Sequence, residues 1–145
     1  MSIEQHIESH LDCKVIDKKT ISAGEISSYK VSTSTGLSIF AKYQDIGNNN
    51  LINQASELVL INESMDTPKV LGSSKYCLLL EWIEKSHNSN HQAEIGTALA
   101  KLHKCTNQYF GFDYDNTIGE MPQYNAINRS ITSWSYFFWE YRLLF

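Results

Sequence analysis

Two alternating runs joined by a glycine turn constrain this chain first. In residues 27–33, Tyr29, Val31 and Thr33 fall on one side and Ser28, Lys30 and Ser32 on the other. That period of two is the mark of a strand. Ser34-Thr35-Gly36 is a turn signal, so residues 37–43 return as the second arm of a hairpin. Parity in that arm sets Phe40 and Lys42 on one face and Ile39, Ala41 and Tyr43 on the other. Residues 15–21 read as a weaker strand. Residues 76–83 are nearly continuous in apolar side chains, as expected of a strand covered on both faces. Pro68 opens a short extended segment at 69–72.

Helical spacing fills the gaps. Ile3, Ile7 and Leu11 recur every fourth position and predict a short opening helix. Apolar residues at 51, 55, 58 and 61 predict a helix over 51–63. The polar stretch 84–90 reads as a junction. A helix is expected over 92–104 with Ile95, Leu99 and Leu102 inward, then a loop-like stretch over 106–129. A last helix at 133–145 carries Trp134, Phe137, Phe138, Tyr141 and Leu144 on a wide apolar face. The order is α+β: a small antiparallel sheet with one packed helix, followed by the beginning of a helical lobe. The closing aromatic face asks for a second layer that the chain does not reach, which points to truncation or to self-association through this helix.

Bulk properties narrow the function classes. The net charge of −4, with Lys and Arg scattered, gives no field for a polyanion, so no nucleic-acid partner is expected. Cys13, Cys77 and Cys105 form an odd set without a CxxC pair, which fits a reducing cytoplasm. Cys77 sits in an apolar run and reads as a buried small hydrophobe. The first residues are polar and acid-containing, unlike a signal peptide. No apolar stretch approaches the roughly 20 residues that span a bilayer. The expectation is a soluble cytoplasmic protein with no membrane partner.

Several positions invite chemistry, each beside a plainer reading. Gly24 lies between two strands; it suits either an ordinary hairpin or a turn whose backbone approaches a phosphate and tolerates positive φ. Lys42 is either a snorkelling strand-end lysine or a cleft lysine that holds α/β-phosphates by charge. His87 and His91 have i,i+4 spacing, but no third ligand is apparent and a solvated loop is the simpler reading. His103 suits a helix end, where the dipole favours an imidazole. Asp113, Asp115 and Glu120 lie among Gly and Asn, where acids make turns.

The order of motifs resembles the fructosamine kinase (ketosamine-3-kinase) family. The residues that carry it are GxxLAxLH ending at His103, FGFDxDN ending at Asn116, IG at 118–119, PQxN at 122–125, and Trp134 followed by FFxExR ending at Arg142. The resemblance implies a protein-kinase-like fold, with residues 1–86 as its N-terminal lobe and 87–145 as the start of an incomplete helical C-terminal lobe. It implies an ATP-dependent phosphotransferase acting on a sugar hydroxyl, with a ketosamine as substrate. It places Gly24 in the nucleotide turn, with Ala23 where a second glycine is frequent, and Lys42 at the phosphate-binding lysine. Residues 78–83, LLLEWI, resemble a hinge in which the Glu81 carbonyl and the Ile83 amide bond the adenine edge. Gln54 falls where the family has a glutamate for the lysine, with Glu57 nearby as a substitute if the helix turns. Gln123 and Asn125 fall in a loop that is either near the substrate or a packing element.

The family's HGDLxxGN catalytic loop and DPA segment are absent from these 145 residues. No catalytic or metal-binding residue can therefore be assigned, and Mg²⁺ enters only if the missing half is supplied. The expected protein is an N-terminal fragment, inactive alone. The alternatives are a non-catalytic dimerising module and a nucleotide-binding pseudokinase.

Overall fold

The computed structural model describes residues 1–85, 91–119, 121–125 and 131–144. They form two compact units, Met1–Leu102 and His103–Phe145. The lobe boundary expected between residues 86 and 87 lies outside the described residues.

The first unit opens with α1 (Ile3–Leu11), started by a capping box: the Ser2 hydroxyl accepts from the Gln5 amide, and the Ser2 amide donates back to Gln5 Oε1 at 2.9 Å. Asp12 ends the helix in the left-handed region at φ 48°. Five strands follow, β1 (Val15–Ser22), β2 (Ser27–Thr33), β3 (Ser38–Tyr43), β4 (Val70–Ser73) and β5 (Cys77–Glu81), with α2 (Asn50–Ile61) between β3 and β4. They build one antiparallel sheet in the order β1-β2-β3-β5-β4. The β2–β3 hairpin turns at Gly36, whose φ of 78° is open to glycine at little cost. Its register pairs Tyr29 with Ala41 and Ser28 with Lys42.

Parity divides the core. Ile39, Ala41, Val31, Cys77 and Leu79 face α1 and bury against Ile3 and Ile7. Phe40, Leu78 and Leu80 face the other way and pack with Leu51 and Ala55 of α2. Each fully buried Val, Leu or Ile among them contributes about 1.5–3 kcal/mol. Strand β5 is thus covered on both faces, as its apolar run predicts. Strand β1 is an almost wholly exposed edge, with Asp17, Lys18 and Lys19 on it, the kind of charge that discourages edge pairing.

Helix α3 (Gln92–Leu102) forms where helical spacing places it, yet none of its residues is buried. The inward orientation expected for Ile95 and Leu99 is not found; they are 55% and 44% exposed. Local propensity is enough to form the helix, but burial of its stripe needs a facing surface.

The second unit differs from the expected plain loop. Strands β6 (Asn116–Ile118) and β7 (Met121–Gln123) form a hairpin, with Gly119 at φ 61°. Three-residue strands are too short to show an alternation, so the sequence reads as loop. The terminal helix is also shorter than expected. Helix α4 (Trp134–Phe138), capped by Ser133, widens into a π-helical segment, Trp139–Leu143. Only Phe137 is buried there; Trp134, Phe138 and Leu144 are exposed.

Candidate functional site

A cavity of about 630 Å³ opens on the α2 side of the sheet. That size is ordinary for a small-molecule site. Its floor is Phe40, Leu78 and Leu80, and α2 supplies Leu58 and Ile61. Ile21, Pro68, Trp82 and Ile83 complete an apolar lining, in which the charged groups are Lys42, Glu57 and Glu81.

Lys42 reaches the cavity because strand parity turns it to the same side as Phe40. Its Nζ donates a 2.8 Å hydrogen bond to Gln54 Oε1. Gln54 is therefore the α2 residue that meets the lysine, while Glu57 lines the same cavity one turn on. Burial pushes the Lys42 ammonium below its ordinary pKa, because desolvation disfavours the charged form. Gln54 orients the ammonium but supplies no charge to offset that loss. The site is a desolvated cation with room beside it, a state that an incoming anion relieves.

The end of β5 is held firmly. The Lys69 amide donates to Glu81 Oε1 at 2.8 Å, and the Glu81 amide donates to the Lys69 carbonyl at 2.9 Å. The Trp82 amide donates to the Ser38 carbonyl at 3.3 Å. The Trp82 ring packs against Phe40, with centroids 6.5 Å apart, and carries Lys30 Nζ 4.2 Å from its ring centre. Lys30 also pairs with Glu84 at 3.1 Å, and Trp82 Nε1 donates to Glu84 at 2.8 Å.

Lys42, Glu81 and Ile83 thus line one cavity. Gly24 is not among the lining residues; it sits exposed in the β1–β2 connection, beyond Ile21. It does not adopt positive φ, and a Cβ there would meet nothing nearer than the Ile26 carbonyl at 4.0 Å. Left-handed backbone is therefore not the reason for glycine at this position. Sequence reasoning missed Ile21, Pro68 and Trp82 as walls. Only the packing of separate segments brings them together.

Among the other candidates, His91 and Asp115 have structural partners. His91 pairs with Glu94 at 2.7 Å at the start of α3. His87 and Glu120 lie outside the described residues. Within the second unit Asn125 is buried and acts as a hub. Its amide donates to Asp115 Oδ1 at 2.7 Å, and its Nδ2 donates to the Tyr114 carbonyl at 2.7 Å and to Asn116 Oδ1 at 3.1 Å. Arg142 Nη2 donates to Asn125 Oδ1 at 2.7 Å, with its guanidinium 4.8 Å from the Phe137 ring centre. The wider π turn brings residue 142 back over residue 137, five positions earlier, which an α-helix would rotate away. Gly111, at φ 82°, is required here: a Cβ would lie 2.5 Å from Asn125 Oδ1.

A five-stranded antiparallel sheet crossed by a helix, with a strand lysine bonded to that helix above an apolar cavity, defines the small lobe of a protein-kinase-like fold. The chain belongs to the fructosamine kinase family, whose model matches residues 1–145. It is 41% identical over 68 residues to a chloroplastic protein-ribulosamine 3-kinase of Arabidopsis thaliana, covering 46% of this chain and 20% of that protein. It is 33% identical over 94 residues to a "Probable ketoamine kinase" of Lactiplantibacillus plantarum, covering 62% of this chain and 32% of that one. The crystal structure of a candidate fructosamine-3-kinase from Thermobifida fusca superposes with a TM-score of 0.85 at 23% identity. That superposition covers 99% of this chain and 51% of the other, so the chain spans about half the length of its solved relative.

Proposed function

We propose that Met1–Leu102 holds the adenine nucleotide of an ATP-dependent ketosamine kinase, and that this chain by itself binds ATP without transferring its phosphoryl group. The observation that carries the reading is Lys42: a half-buried ammonium, bonded to a neutral amide, facing an apolar cavity. A triphosphate supplies the charge that Gln54 lacks. Lys42 fixes the α/β-phosphates as a point charge. Phe40, Leu78 and Leu80 exclude water from the base, and the Glu81 carbonyl and Ile83 amide read its edge. Gly24 contributes backbone near the phosphates when the β1–β2 connection folds over them.

ATP supplies the phosphoryl group, and positioning is only part of its transfer. Residues 1–145 contain neither an HGDLxxGN nor a DPA pattern. Mg²⁺ and the ketosamine therefore enter this reading only where a further stretch supplies the groups that hold the metal and orient the sugar hydroxyl. The test is thermal unfolding of the purified chain with and without ATP. A shift present in the wild type and lost in Lys42→Ala supports the reading. Equal shifts in both, or none, overturn it.

A second reading, self-association without catalysis, rests on the aromatic terminus. Trp134, Phe138, Trp139 and Leu143 are 57%, 42%, 54% and 54% exposed, more apolar surface in one short segment than a monomer usually leaves. Sedimentation equilibrium separates a defined dimer, broken by Trp139→Ser, from a monomer.

A further inference from the structure

On the face of the sheet away from the cavity, α1 and β5 bring together three side chains that the nucleotide reading leaves unused. His6 and His10 are one helical turn apart on α1 and so share a face. Cys77 begins β5 and points to the α1 side with Ala41 and Leu79. One ring nitrogen from each histidine and the Cys77 sulfur all lie within 4.8 Å of one another.

The surroundings prepare these groups for coordination. His10 Nδ1 lies 2.8 Å from the His6 carbonyl. A carbonyl only accepts, so Nδ1 carries the proton, and in the neutral ring the lone pair sits on Nε2. A ring nitrogen held this way is the usual orienting contact of a metal-bound histidine. His6 is buried, and the Tyr76 ring stacks on it at 5.5 Å. Gly72 makes room for His10: a Cβ there would come within 3.1 Å of His10 Cδ2. Ser74 Oγ lies 3.4 Å from the Cys77 sulfur. Cys77 is fully buried, out of reach of the oxidants and electrophiles that a redox or nucleophilic cysteine must meet. A redox or catalytic cysteine is therefore the weaker reading.

We propose that His6, His10 and Cys77 form a site for a thiolate-accepting divalent cation of the Zn²⁺ class, clipping α1 to β5. Two imidazoles and one thiolate select such ions over Mg²⁺ or Ca²⁺. On binding, the Cys77 thiol gives its proton to solvent and the thiolate becomes a ligand. Tetrahedral ligands at bond lengths of about 2.1–2.3 Å stand roughly 3.5 Å apart, so the site closes by about 1 Å of side-chain rotation. His10 is solvent-exposed, which leaves the fourth position to water. The proposal does not rest on the nucleotide reading.

The experiment is titration of the full chain with Co²⁺ as a spectroscopic probe, followed by displacement with Zn²⁺. The expected result is one equivalent bound, with a sulfur-to-cobalt charge-transfer band and tetrahedral visible bands. The charge-transfer band persists in Cys105→Ser, which removes the exposed thiol, and disappears in Cys77→Ser. His10→Ala, a change on the exposed side of α1, weakens Zn²⁺ binding at least ~10-fold; this variant decides the matter if Cys77→Ser does not fold. No stoichiometric binding, a band that follows Cys105, or unchanged affinity in His10→Ala overturns the proposal.

Discussion

Lys42 Nζ and Gln54 Oε1 are 2.8 Å apart, so the cation facing the cavity is held by a neutral partner. Desolvation lowers its pKa, and no formal charge on Gln54 restores it. The sign follows. The buried ammonium costs stability while it stays protonated. That cost is relieved as pH rises from the depressed folded value toward the unfolded one near about 10.4. Stability measured against Lys42→Met is expected to rise across that alkaline window.

Gln54→Glu supplies the missing charge. It is expected to restore the Lys42 pKa and to stabilise the chain by about 1 kcal/mol at neutral pH, the scale of a hydrogen bond gaining charge. Urea unfolding of the single and double variants with Lys42→Met measures the coupling. A gain that survives removal of Lys42 would place its origin elsewhere.

Asn125 ties Tyr114, Asp115, Asn116 and Arg142 together. Asn125→Ala is expected to cost about 2–4 kcal/mol within His103–Phe145, because several partners lose a buried contact at once. Faster amide hydrogen exchange at 114–125, with little change in β2, β3 and β5, is the expected readout. Gly111→Ala should have the same local effect by displacing Asn125 Oδ1.

Glu4 pairs with Lys18 across α1 and β1, and the hydrogen bond it accepts from Lys18, followed by one from its own backbone amide, lowers its pKa from 4.5 to about 2. A depressed carboxylate stabilises the fold above its unfolded pKa and loses that contribution as pH falls through about 4.5 to 2. The pair is partly solvated, so screening reduces its worth to roughly 0.5 kcal/mol. Glu4→Gln is expected to be less stable by that amount at pH 7 and to converge with the wild type near pH 2, as acid-unfolding curves would record.

The purified chain is expected to give no ATP-dependent phosphorylation of a fructosamine substrate in a coupled assay. Turnover by these 145 residues would show that positioning groups within them suffice for transfer.

Much of the sheet was legible because parity is a local property. Tyr29, Val31 and Thr33 declare one face, and Phe40 with Lys42 declare the other, before any packing is known. The apolar run at 76–83 likewise announces a strand covered on both sides. What stayed hidden depends on partners distant in sequence. The Ile21, Pro68 and Trp82 walls come from three separate segments. The β6–β7 hairpin is too short for periodicity, and the π turn that carries Arg142 to Asn125 leaves no mark in helical spacing. For α3 the pattern predicts a buried stripe, but Ile95 and Leu99 remain exposed, because spacing specifies a face and not what covers it.

The most direct measurement is an ATP titration of the isotope-labelled chain followed by backbone amide NMR. Saturable shifts concentrated at Gly24, Lys42, Glu81 and Ile83, abolished in Lys42→Ala, are the predicted result. Shifts confined to the α1 face of the sheet, or unaffected by loss of Lys42, would contradict nucleotide binding in the cavity.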